Sequence, residues 1–283
     1  MNETETTTIT RKIQKIESFQ ALRREPVPDD GRLFPPNVIH GETHPGLIRS
    51  ENQDSFACSV SDDGNMAMLL VADGIGGNEG GDLASHYIAE MLLRDFRKFQ
   101  QNGRHDKETV LAFLKSHVIL AHCALRNLNM NFNVLHPMGT TLAMVMLLPD
   151  AAITAHAGDS RVYCLRDGNL FQYTQDHSVI NDLIKLGKLT PAQAKKHPMN
   201  HVISQSMGIC EEVKPDFNVY ERRPGDRFLV CSDGLMLHVS DLVIRDIMAA
   251  ASSAREAVRN LITRNLRGGG GDNVTAVCAY PLR

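Results

Sequence analysis

The 283-residue sequence predicts an α+β fold in which packed antiparallel β-sheets are flanked by helix pairs. Short apolar segments bounded by turn residues form several groups, and each such segment is typical of a β-strand. Two pairs of longer segments carry apolar residues on one helical face, which predicts helices that pack on the sheets. Because strand groups and helix pairs alternate without an internal repeat, we expect one main domain.

The composition is that of an ordinary globular protein and argues against several classes of function. Hydrophobic residues make up 42% of the chain, charged residues 22%, and the formal net charge is −3. This charge gives no general attraction to nucleic acid or anionic membranes, and no apolar run approaches membrane-spanning length. The N-terminus lacks a secretion-signal pattern and the six cysteines form no C-x-x-C pair, so we expect reduced thiols and a cytoplasmic location.

Residues 1–37 differ from the rest of the chain and predict an N-terminal arm, whereas residues 38–283 form the main domain. The arm begins with a polar Thr/Glu stretch and ends in a proline-rich segment that breaks regular structure. Between them, four apolar residues are spaced like one face of a short helix, namely Ile9, Ile13, Ile16 and Phe19. Two interpretations stay open for the arm, a single docked helix and a disordered leader.

The first half of the main domain predicts two strands followed by two long helices. A strand over residues 55–60 and an apolar strand over residues 66–72 are separated by an Asp-Asp-Gly-Asn turn. The second strand ends at Asp73 in a glycine-rich stretch, which lets a ligand approach the backbone closely. Helical patterns over residues 81–101 and 107–130 follow, each with one apolar face.

The second half predicts a meander, an insertion and a final group of strands and helices. Four strands separated by turn residues indicate one antiparallel meander, over residues 140–148, 151–157, 161–166 and 170–173. A polar, helical insertion over residues 176–207 is too long for a simple connection and is typical of a binding segment. The remaining elements are two strands, two helices and a last strand, over residues 216–220, 226–231, 240–250, 253–266 and 273–280.

Several aspartates share an unusual setting beside apolar strands. Asp73 follows a buried strand, where an ionised carboxylate is costly unless a cation or hydrogen-bond donors meet it. Three others lie next to glycine in tight turns and a fifth precedes a strand, namely Asp159, Asp233, Asp272 and Asp54. One such turn is common, but several in one chain favour a shared cation site. Carboxylate ligands suit Mg²⁺ or Mn²⁺, and the lack of Cys/His ligand spacing argues against zinc.

Short motifs around these aspartates follow one another in a fixed order. They are Arg49-x-x-Asn52-Gln53-Asp54, Asp73-Gly74-x-Gly76-Gly77, Gly139-Thr140-Thr141, Gly158-Asp159-Ser160-Arg161, Asp176-His177-Ser178, Ser232-Asp233-Gly234 and Gly271-Asp272-Asn273-Val274-Thr275. Each motif is weak alone, whereas the ordered set over about residues 40–281 is specific. Together they resemble the metal-dependent serine/threonine protein phosphatases, the type 2C or PPM family, in its compact bacterial branch.

The resemblance implies a four-layer αββα sandwich, in which helix pairs flank two antiparallel sheets, with two Mn²⁺ or Mg²⁺ ions bound at one edge. It implies that Asp73 bridges both ions and that Asp233 and Asp272 complete the ligands of one. The Gly74 carbonyl would bind the other ion. Two-ion sites of this kind activate water for attack on phosphate without a protein nucleophile.

Three further positions and one segment receive roles from the same resemblance. Asp54 would hold a metal-bound water, and Asp159 would help Asp233 to hold a third, weaker ion. Arg49 would bind the substrate phosphate, a role that its bidentate guanidinium suits. The insertion over residues 176–207 corresponds to the family's flap, which lies beside the active site and influences substrate choice.

The sequence departs from the family pattern at three positions that affect catalysis or substrate binding. Ile75 stands where some members have a His that is proposed to protonate the leaving oxygen, a change common in bacterial relatives. Gln53 stands where many members have Glu, which removes one charge near the second ion. Asn200 stands where flap sequences often have Arg, which puts the usual phosphoprotein contact in doubt. None of the three removes a metal ligand, so we expect an active enzyme.

The implied function is hydrolysis of phosphoserine and phosphothreonine in proteins by a monomeric signalling enzyme whose substrates are targets of a partner kinase. An alternative is a catalytically weak or inactive relative that binds phosphoproteins. A metal-dependent nuclease is a third class that uses clustered aspartates, but no basic, aromatic-interleaved stretch supports it. We therefore expect phosphoprotein partners, without nucleic acid or a membrane.

Overall fold

The computed structural model describes residues 38–75, 80–101, 105–132, 137–190, 193, 197–199 and 202–280. The arm predicted over residues 1–37 lies outside these residues and stays a prediction. Gly76 and Gly77 of the second motif and Asn200 of the insertion also lie outside them. The described part contains two antiparallel sheets with helices packed on them.

Antiparallel pairing joins all the strands of the described part. In chain order they are β1 (Ile39–His44), β2 (Asp54–Val60), β3 (Ala67–Ile75), β4 (Gly139–Thr140), β5 (Leu142–Leu147), β6 (Ala151–Ala157), β7 (Arg161–Arg166), β8 (Asn169–Gln172), β9 (Asp216–Glu221), β10 (Arg227–Cys231) and β11 (Val274–Ala279). One sheet has the order β1-β11-β10-β7-β8. The other has the order β2-β3-β5-β6-β9, and β4 pairs with β3 beside it.

Two groups of helices lie along the chain between and after the strands. They are α1 (Gly81–Gln100), α2 (Lys107–Phe132), α3 (Val179–Lys185), α4 (Asp233–His238), α5 (Asp241–Ala250) and α6 (Ala254–Arg267). The helices predicted from the apolar periodicity are thus confirmed to within two residues at each end. Ser178 and Ser253 cap α3 and α6, because each side chain accepts a hydrogen bond from a backbone N–H of the first turn.

Three buried apolar layers hold the sheets and helices together. Strand β3 contributes to two of these layers. Leu69 and Val71 face the five-stranded sheet, whereas Met68 and Leu70 pack with α1 and α2. Its apolar run is continuous because both faces of the strand are buried. Helices α4, α5 and α6 cover the outer face of the five-stranded sheet. The result is the four-layer αββα sandwich that the family resemblance implied.

The prediction of one meander over residues 140–173 is wrong. Strands β5 and β6 pair in the six-stranded sheet, whereas β7 and β8 pair in the five-stranded sheet. The chain crosses between the sheets at Gly158, which has φ +119, a conformation that glycine adopts without strain. A hairpin turn and a crossover turn have similar residues, so the sequence did not distinguish them.

Three elements went beyond the sequence-based prediction. Strand β1 was not predicted because it is a polar edge strand, and only Ile39 in it is buried. The short helix α4 follows Ser232 directly and was not predicted either. Strand β3 does not end at Ala72 but continues to Ile75, because Gly74 and Ile75 pair with β4.

Helix α2 bears on the expectation that no segment reaches membrane-spanning length. Among the described residues, Lys107–Asn131 is long and apolar enough to cross a membrane by length and composition, with a mean hydropathy of 1.3. That expectation fails by this criterion. About 39% of this stretch is buried inside the protein, including Val110, Leu114, Val118 and Leu125, which pack completely against the sheet and α1.

The described residues of the insertion predicted over residues 176–207 include a helix. This helix is α3, and Ser178 pairs with Ile203 in an isolated β-bridge near its base. At its far end Met207 pairs with Thr140 of β4. The insertion therefore leaves the body of the protein at the turn between β6 and β7, where the His177 N–H donates to the Gly158 carbonyl, and rejoins it at β4, which pairs with the strand that carries Asp73.

The layer between the sheets predicts a large cost for Leu69→Ala. Leu69 is fully buried there, and such truncations cost about 2–5 kcal/mol of unfolding free energy. Urea unfolding with a chelator present measures it, and Leu120→Ala on α2, where Leu120 is 55% exposed, should cost less than about 0.5 kcal/mol. Equal losses for the two variants would contradict this assignment of the core.

Candidate active site

The strand ends bring the five predicted aspartates to one edge of the sandwich. Asp54, the first residue of β2, pairs in register with Asp73 of β3. In the other sheet β7, β10 and β11 are neighbours. The segments beside these three strands carry Asp159, Asp233 and Asp272, and the charges of these residues act on Asp54 and Asp73.

Asp54 is held between the two sheets by two hydroxyl groups. The Oγ of Ser232 and the Oγ1 of Thr275 each donate a hydrogen bond of 2.7 Å to Oδ2 of Asp54. Its Oδ1 is buried and has no hydrogen-bond partner among the described residues. Burial, reinforced by the charges of Asp233 and Asp272, raises the pKa of Asp54 to about 7 despite the two hydroxyl donors.

The backbone of Asp73 is fixed by the two threonines of the Gly-Thr-Thr motif. Its carbonyl accepts hydrogen bonds of 2.8 Å from the Thr140 hydroxyl and the Thr141 N–H. Its N–H donates to the Thr141 hydroxyl at 2.9 Å. These bonds hold the main chain of β3 at the point where the carboxyl group enters the site.

The Asp73 side chain lies among other carboxyl groups. Burial raises its pKa well above the usual range, and the charges of Asp54, Asp233 and Asp159 raise it further. Its carboxyl group also hydrogen-bonds to that of Asp233, a contact that requires a shared proton when no cation is bound. The two groups therefore cannot both be ionised without a compensating charge.

Asp159 lies in the turn between β6 and β7, where the chain crosses from one sheet to the other. Burial raises its pKa to about 7, and the charges of Asp233 and Asp176 add to this effect. Its Oδ1 is buried without a hydrogen-bond partner among the described residues. Like Asp54, Asp159 thus presents a buried carboxylate oxygen that a cation or a water would satisfy.

Arg49 and Asp272 form a bidentate ion pair at the outer side of the cluster. The Nε of Arg49 lies 2.8 Å from Oδ1 of Asp272, and its Nη2 donates to Oδ2 at 2.8 Å. The Asp272 carboxylate is the main reason that the pKa of Arg49 is raised. The guanidinium fork is therefore at the site, as predicted, and lies on one of the expected metal ligands.

Asn273 fixes the loop that carries Arg49. Its side-chain nitrogen donates to the carbonyls of Pro45 and Glu51 at 2.9 and 2.8 Å, and its side-chain oxygen accepts from the Gln53 N–H at 2.9 Å. One amide thus ties both ends of the loop between β1 and β2 to the start of β11. The position of Arg49 depends on this residue.

Two glycines allow the backbone to approach closely inside the cluster. A Cβ atom on Gly74 would overlap the Gly81 carbonyl at the start of α1, and one on Gly234 would overlap the Asn273 carbonyl. Only glycine fits at these two positions. The main chain of Gly74, which directly follows Asp73 in β3, therefore packs against the start of α1.

The residues that support the aspartates were not singled out from the sequence. They are Ser232, Thr275, Asn273, Thr140 and Thr141. All five lie inside motifs quoted above, which was the available signal. Their roles stayed hidden because a hydroxyl or amide beside a strand acquires its partner only when the two sheets pack together.

A cluster of His156, His177 and Asp216 also forms at the base of the insertion, with ligand atoms within 4.8 Å of one another. The expectation that the chain lacks a His cluster holds for the sequence spacing but not for the fold. The Gly158 N–H donates to Nδ1 of His177 at 3.3 Å, so the proton lies on Nε2 and is donated to Oδ2 of Asp216 at 3.0 Å.

These hydrogen bonds make the histidine cluster an anchor for the insertion. A protonated Nε2 has no lone pair for a cation, and burial lowers the pKa of His156 to about 3, so this ring is neutral. Nearby, Arg161 binds both carboxylate oxygens of Asp176 at 2.9 and 2.6 Å. The first residues of the insertion are thereby joined to the turn that carries Asp159.

The residues of the aspartate cluster fit hard divalent cations. Two buried oxygens, on Asp54 and Asp159, lack hydrogen-bond partners among the described residues, and three carboxyl groups have raised pKa values. The ligand atoms offered are oxygens, which suit Mg²⁺ and Mn²⁺. Fold and site together define a metal-dependent enzyme with the four-layer αββα architecture.

Comparisons with known proteins assign this class to a family. The profile described as Protein phosphatase 2C matches residues 49–267. The chain is 33% identical over 234 residues to the protein phosphatase PhpP of Streptococcus pneumoniae, an alignment that covers 82% of this chain and 93% of the relative. The chain belongs to the protein phosphatase 2C family.

Solved structures agree with this assignment. The serine/threonine phosphatase PstP/Ppp of Mycobacterium tuberculosis matches with a TM-score of 0.75 and 34% identity, over 86% of this chain and 97% of the relative. The catalytic domain of PstP in complex with two manganese ions matches with a TM-score of 0.72 and 33% identity, over 86% and 96%. The enzyme class is accordingly that of the protein serine/threonine phosphatases.

The raised pKa values predict how the metal-free protein responds to pH. An aspartate in the unfolded chain loses its proton near pH ~3.9, whereas Asp54 and Asp159 in the folded protein keep theirs to about pH 7. The folded state therefore binds more protons across this window, and its stability falls as the pH rises through it.

Urea unfolding of the protein in excess chelator, at several pH values between about 5 and 8, measures this fall in stability. The fall in stability should be smaller in Asp54→Asn, because the amide does not titrate, and should shrink in both proteins when Mn²⁺ is added. An Asp54→Asn variant with the same pH dependence as the unaltered protein would contradict the raised pKa of Asp54.

Proposed function

We propose that this protein hydrolyses phosphoserine and phosphothreonine in other proteins, as a signalling phosphatase that uses two Mn²⁺ or Mg²⁺ ions. The observation that carries the proposal is the convergence of five aspartates and Arg49 at one edge of the sandwich. The family assignment supports it, because relatives such as PhpP and PstP are named as protein phosphatases.

Four groups of this chain would hold the two ions. The PstP catalytic domain in complex with two manganese ions supports the number of ions. Asp73 would bind both, since it lies centrally among the other carboxyl groups. Asp233 and Asp272 would complete one set of ligands, and the Gly74 carbonyl would belong to the other. Asp159 would contribute with Asp233 to a third, weaker site.

When bound, two such ions lower the pKa of a shared water and neutralise charge on the phosphoryl oxygens. The chain's own contribution is to hold and orient the reacting groups. Oδ2 of Asp54 is fixed by Ser232 and Thr275, so its Oδ1 is placed to accept a hydrogen bond from a water. The elevated pKa values of the carboxyl groups mean that cation binding displaces protons from the site.

Arg49 would bind the substrate phosphate through the same fork that holds Asp272 in the metal-free protein. A carboxylate and a phosphate present similarly spaced oxygens to a guanidinium, so one partner can replace the other. Ile75 at the end of β3 cannot donate a proton, and the leaving oxygen would take its proton from water. The backbone carbonyl of Gln53 holds the main chain of Gly74 in place, because it accepts a hydrogen bond of 3.1 Å from the Gly74 N–H.

The two other classes have less support from the site. An inactive phosphoprotein-binding relative would be favoured by a missing ligand, but Asp73, Asp233 and Asp272 are all present. A nuclease would need a positively charged surface, and the net charge of the chain is −3. We further propose a monomer that acts in the cytoplasm on substrates of a partner kinase, without a membrane.

The metal hypothesis predicts that activity on a phosphopeptide needs Mn²⁺ or Mg²⁺ and vanishes in excess chelator. Asp73→Asn, Asp233→Asn and Asp272→Asn should each lower kcat by about 10²-fold or more, because each removes charge that would neutralise a cation. The matched control is Asp246→Asn, since Asp246 on α5 has a side chain that is 66% exposed. Undiminished turnover in chelator would disprove metal dependence.

The phosphate-binding role of Arg49 predicts that Arg49→Ala raises KM by about ten- to a hundredfold, as expected for the loss of a charge-assisted hydrogen-bond pair. The KM of Arg49→Lys should lie between that of the unaltered enzyme and that of Arg49→Ala, because an ammonium keeps the charge but lacks the bidentate fork. Steady-state kinetics on a phosphopeptide measure both constants. A large fall in kcat at unchanged KM would instead place Arg49 in transition-state stabilisation.

A further inference from the structure

Two exposed apolar side chains directly precede Arg49. Leu47 is 62% exposed and Ile48 is 73% exposed, which are among the highest values for large apolar residues in the described part. Isolated apolar residues on a surface are ordinary. Two in succession beside the residue that binds substrate phosphate form an apolar patch whose position calls for a partner.

The loop that carries these side chains is held in place by its backbone. The Leu47 N–H donates to the Gly270 carbonyl at 2.7 Å, and Asn273 ties the loop at Pro45 and Glu51. Turning Leu47 and Ile48 inward would break these bonds. Their exposure is therefore fixed by the structure that positions Arg49.

The surface behind Leu47 is also apolar. A Cβ atom on Gly270 would lie 3.0 Å from Cγ of Leu47 and 3.1 Å from Cδ2 of the half-buried Leu266, so both side chains lie beside the Gly270 backbone. We call the surface formed by Leu47 and Ile48, backed by Leu266, the apolar shelf. It borders the active site, because Ile48 is followed by Arg49 and Gly270 lies two residues before Asp272.

We propose that the apolar shelf binds an apolar side chain of the phosphoprotein substrate, one or two residues from the phosphorylated residue. This inference rests on the proposed function and specifies the class of substrate. Residues of an extended segment are about 3.3–3.6 Å apart, so residues one or two positions from a phosphate on Arg49 would lie near the loop that carries Ile48 and Leu47. Burying them would favour substrates with Leu, Ile, Val, Met or Phe next to the phosphoresidue.

The test compares phosphopeptides that differ at one position. In each pair, one peptide has Leu and the other has Gln at one of the two positions on either side of the phosphothreonine. The unaltered enzyme with Mn²⁺ should prefer Leu at one position at least, by about 5- to 30-fold in kcat/KM, the range expected for partial burial of such a side chain.

The variants Leu47→Gln and Ile48→Gln assign this preference to the shelf. Each should reduce it to within about twofold, because Gln keeps the size of the side chain and removes its apolar character. Both should hydrolyse p-nitrophenyl phosphate at the normal rate, since this ester does not reach the shelf. Leu120→Gln is the matched control, because Leu120 is 55% exposed on α2, and it should keep the preference.

Distinct results would overturn the inference. Equal rates for Leu and Gln peptides in the unaltered enzyme would do so while leaving the proposed function intact. A parallel loss on p-nitrophenyl phosphate would show that the two residues only support the Arg49 loop. Analytical ultracentrifugation could also show that the unaltered protein is a dimer and that Leu47→Gln and Ile48→Gln are monomers. If the preference for Leu peptides were unchanged in these variants, the shelf would instead bind a second copy of the chain. Hydrolysis of no phosphopeptide at all would overturn the proposed function together with this inference.

Discussion

Mutual repulsion among buried carboxyl groups is the constraint on which this site depends. Asp54, Asp73 and Asp159 all have raised pKa values, chiefly because of burial. The charge of Asp233 raises all three further, and the charges of Asp54 and Asp159 also act on Asp73. In the metal-free protein this repulsion is relieved by protons and by the Arg49 ion pair with Asp272. Divalent cations would relieve it more fully, so metal binding and proton release are coupled, and the folded state is expected to gain stability when the cations bind.

The sandwich keeps these groups together through contacts that cross between its sheets. Ser232 and Thr275 belong to the side of the five-stranded sheet, whereas Asp54 and Asp73 pair within the six-stranded sheet. A shift of one residue in the register of β2 or β3 would turn these side chains to the opposite face. The apolar layer between the sheets, which fixes that register, is thus also a condition for the chemistry.

The support around the aspartates links elements that are distant in sequence. Asn273 connects the loop of Arg49 to the strand that follows Asp272, and Thr140 connects Asp73 to Met207 at the end of the insertion. Rigid support of this kind keeps reactive groups within the narrow geometry that catalysis requires. It also leaves the apolar side chains of the Arg49 loop in solvent, where they can contact a substrate.

The sequence alone determined the α+β class, the long helices and the identity of the five aspartates with Arg49, because apolar periodicity and ordered motifs are local signals. Only the tertiary structure decided that β6 and β7 belong to different sheets, since hairpin and crossover turns share the same residues. It also decided which hydroxyl and amide groups hold Asp54 and the Arg49 loop. Ser232 and Asp54 are 178 positions apart along the chain, and Asn273 and Pro45 are 228 positions apart. No local pattern encodes such pairs, because they meet only when the two sheets pack face to face.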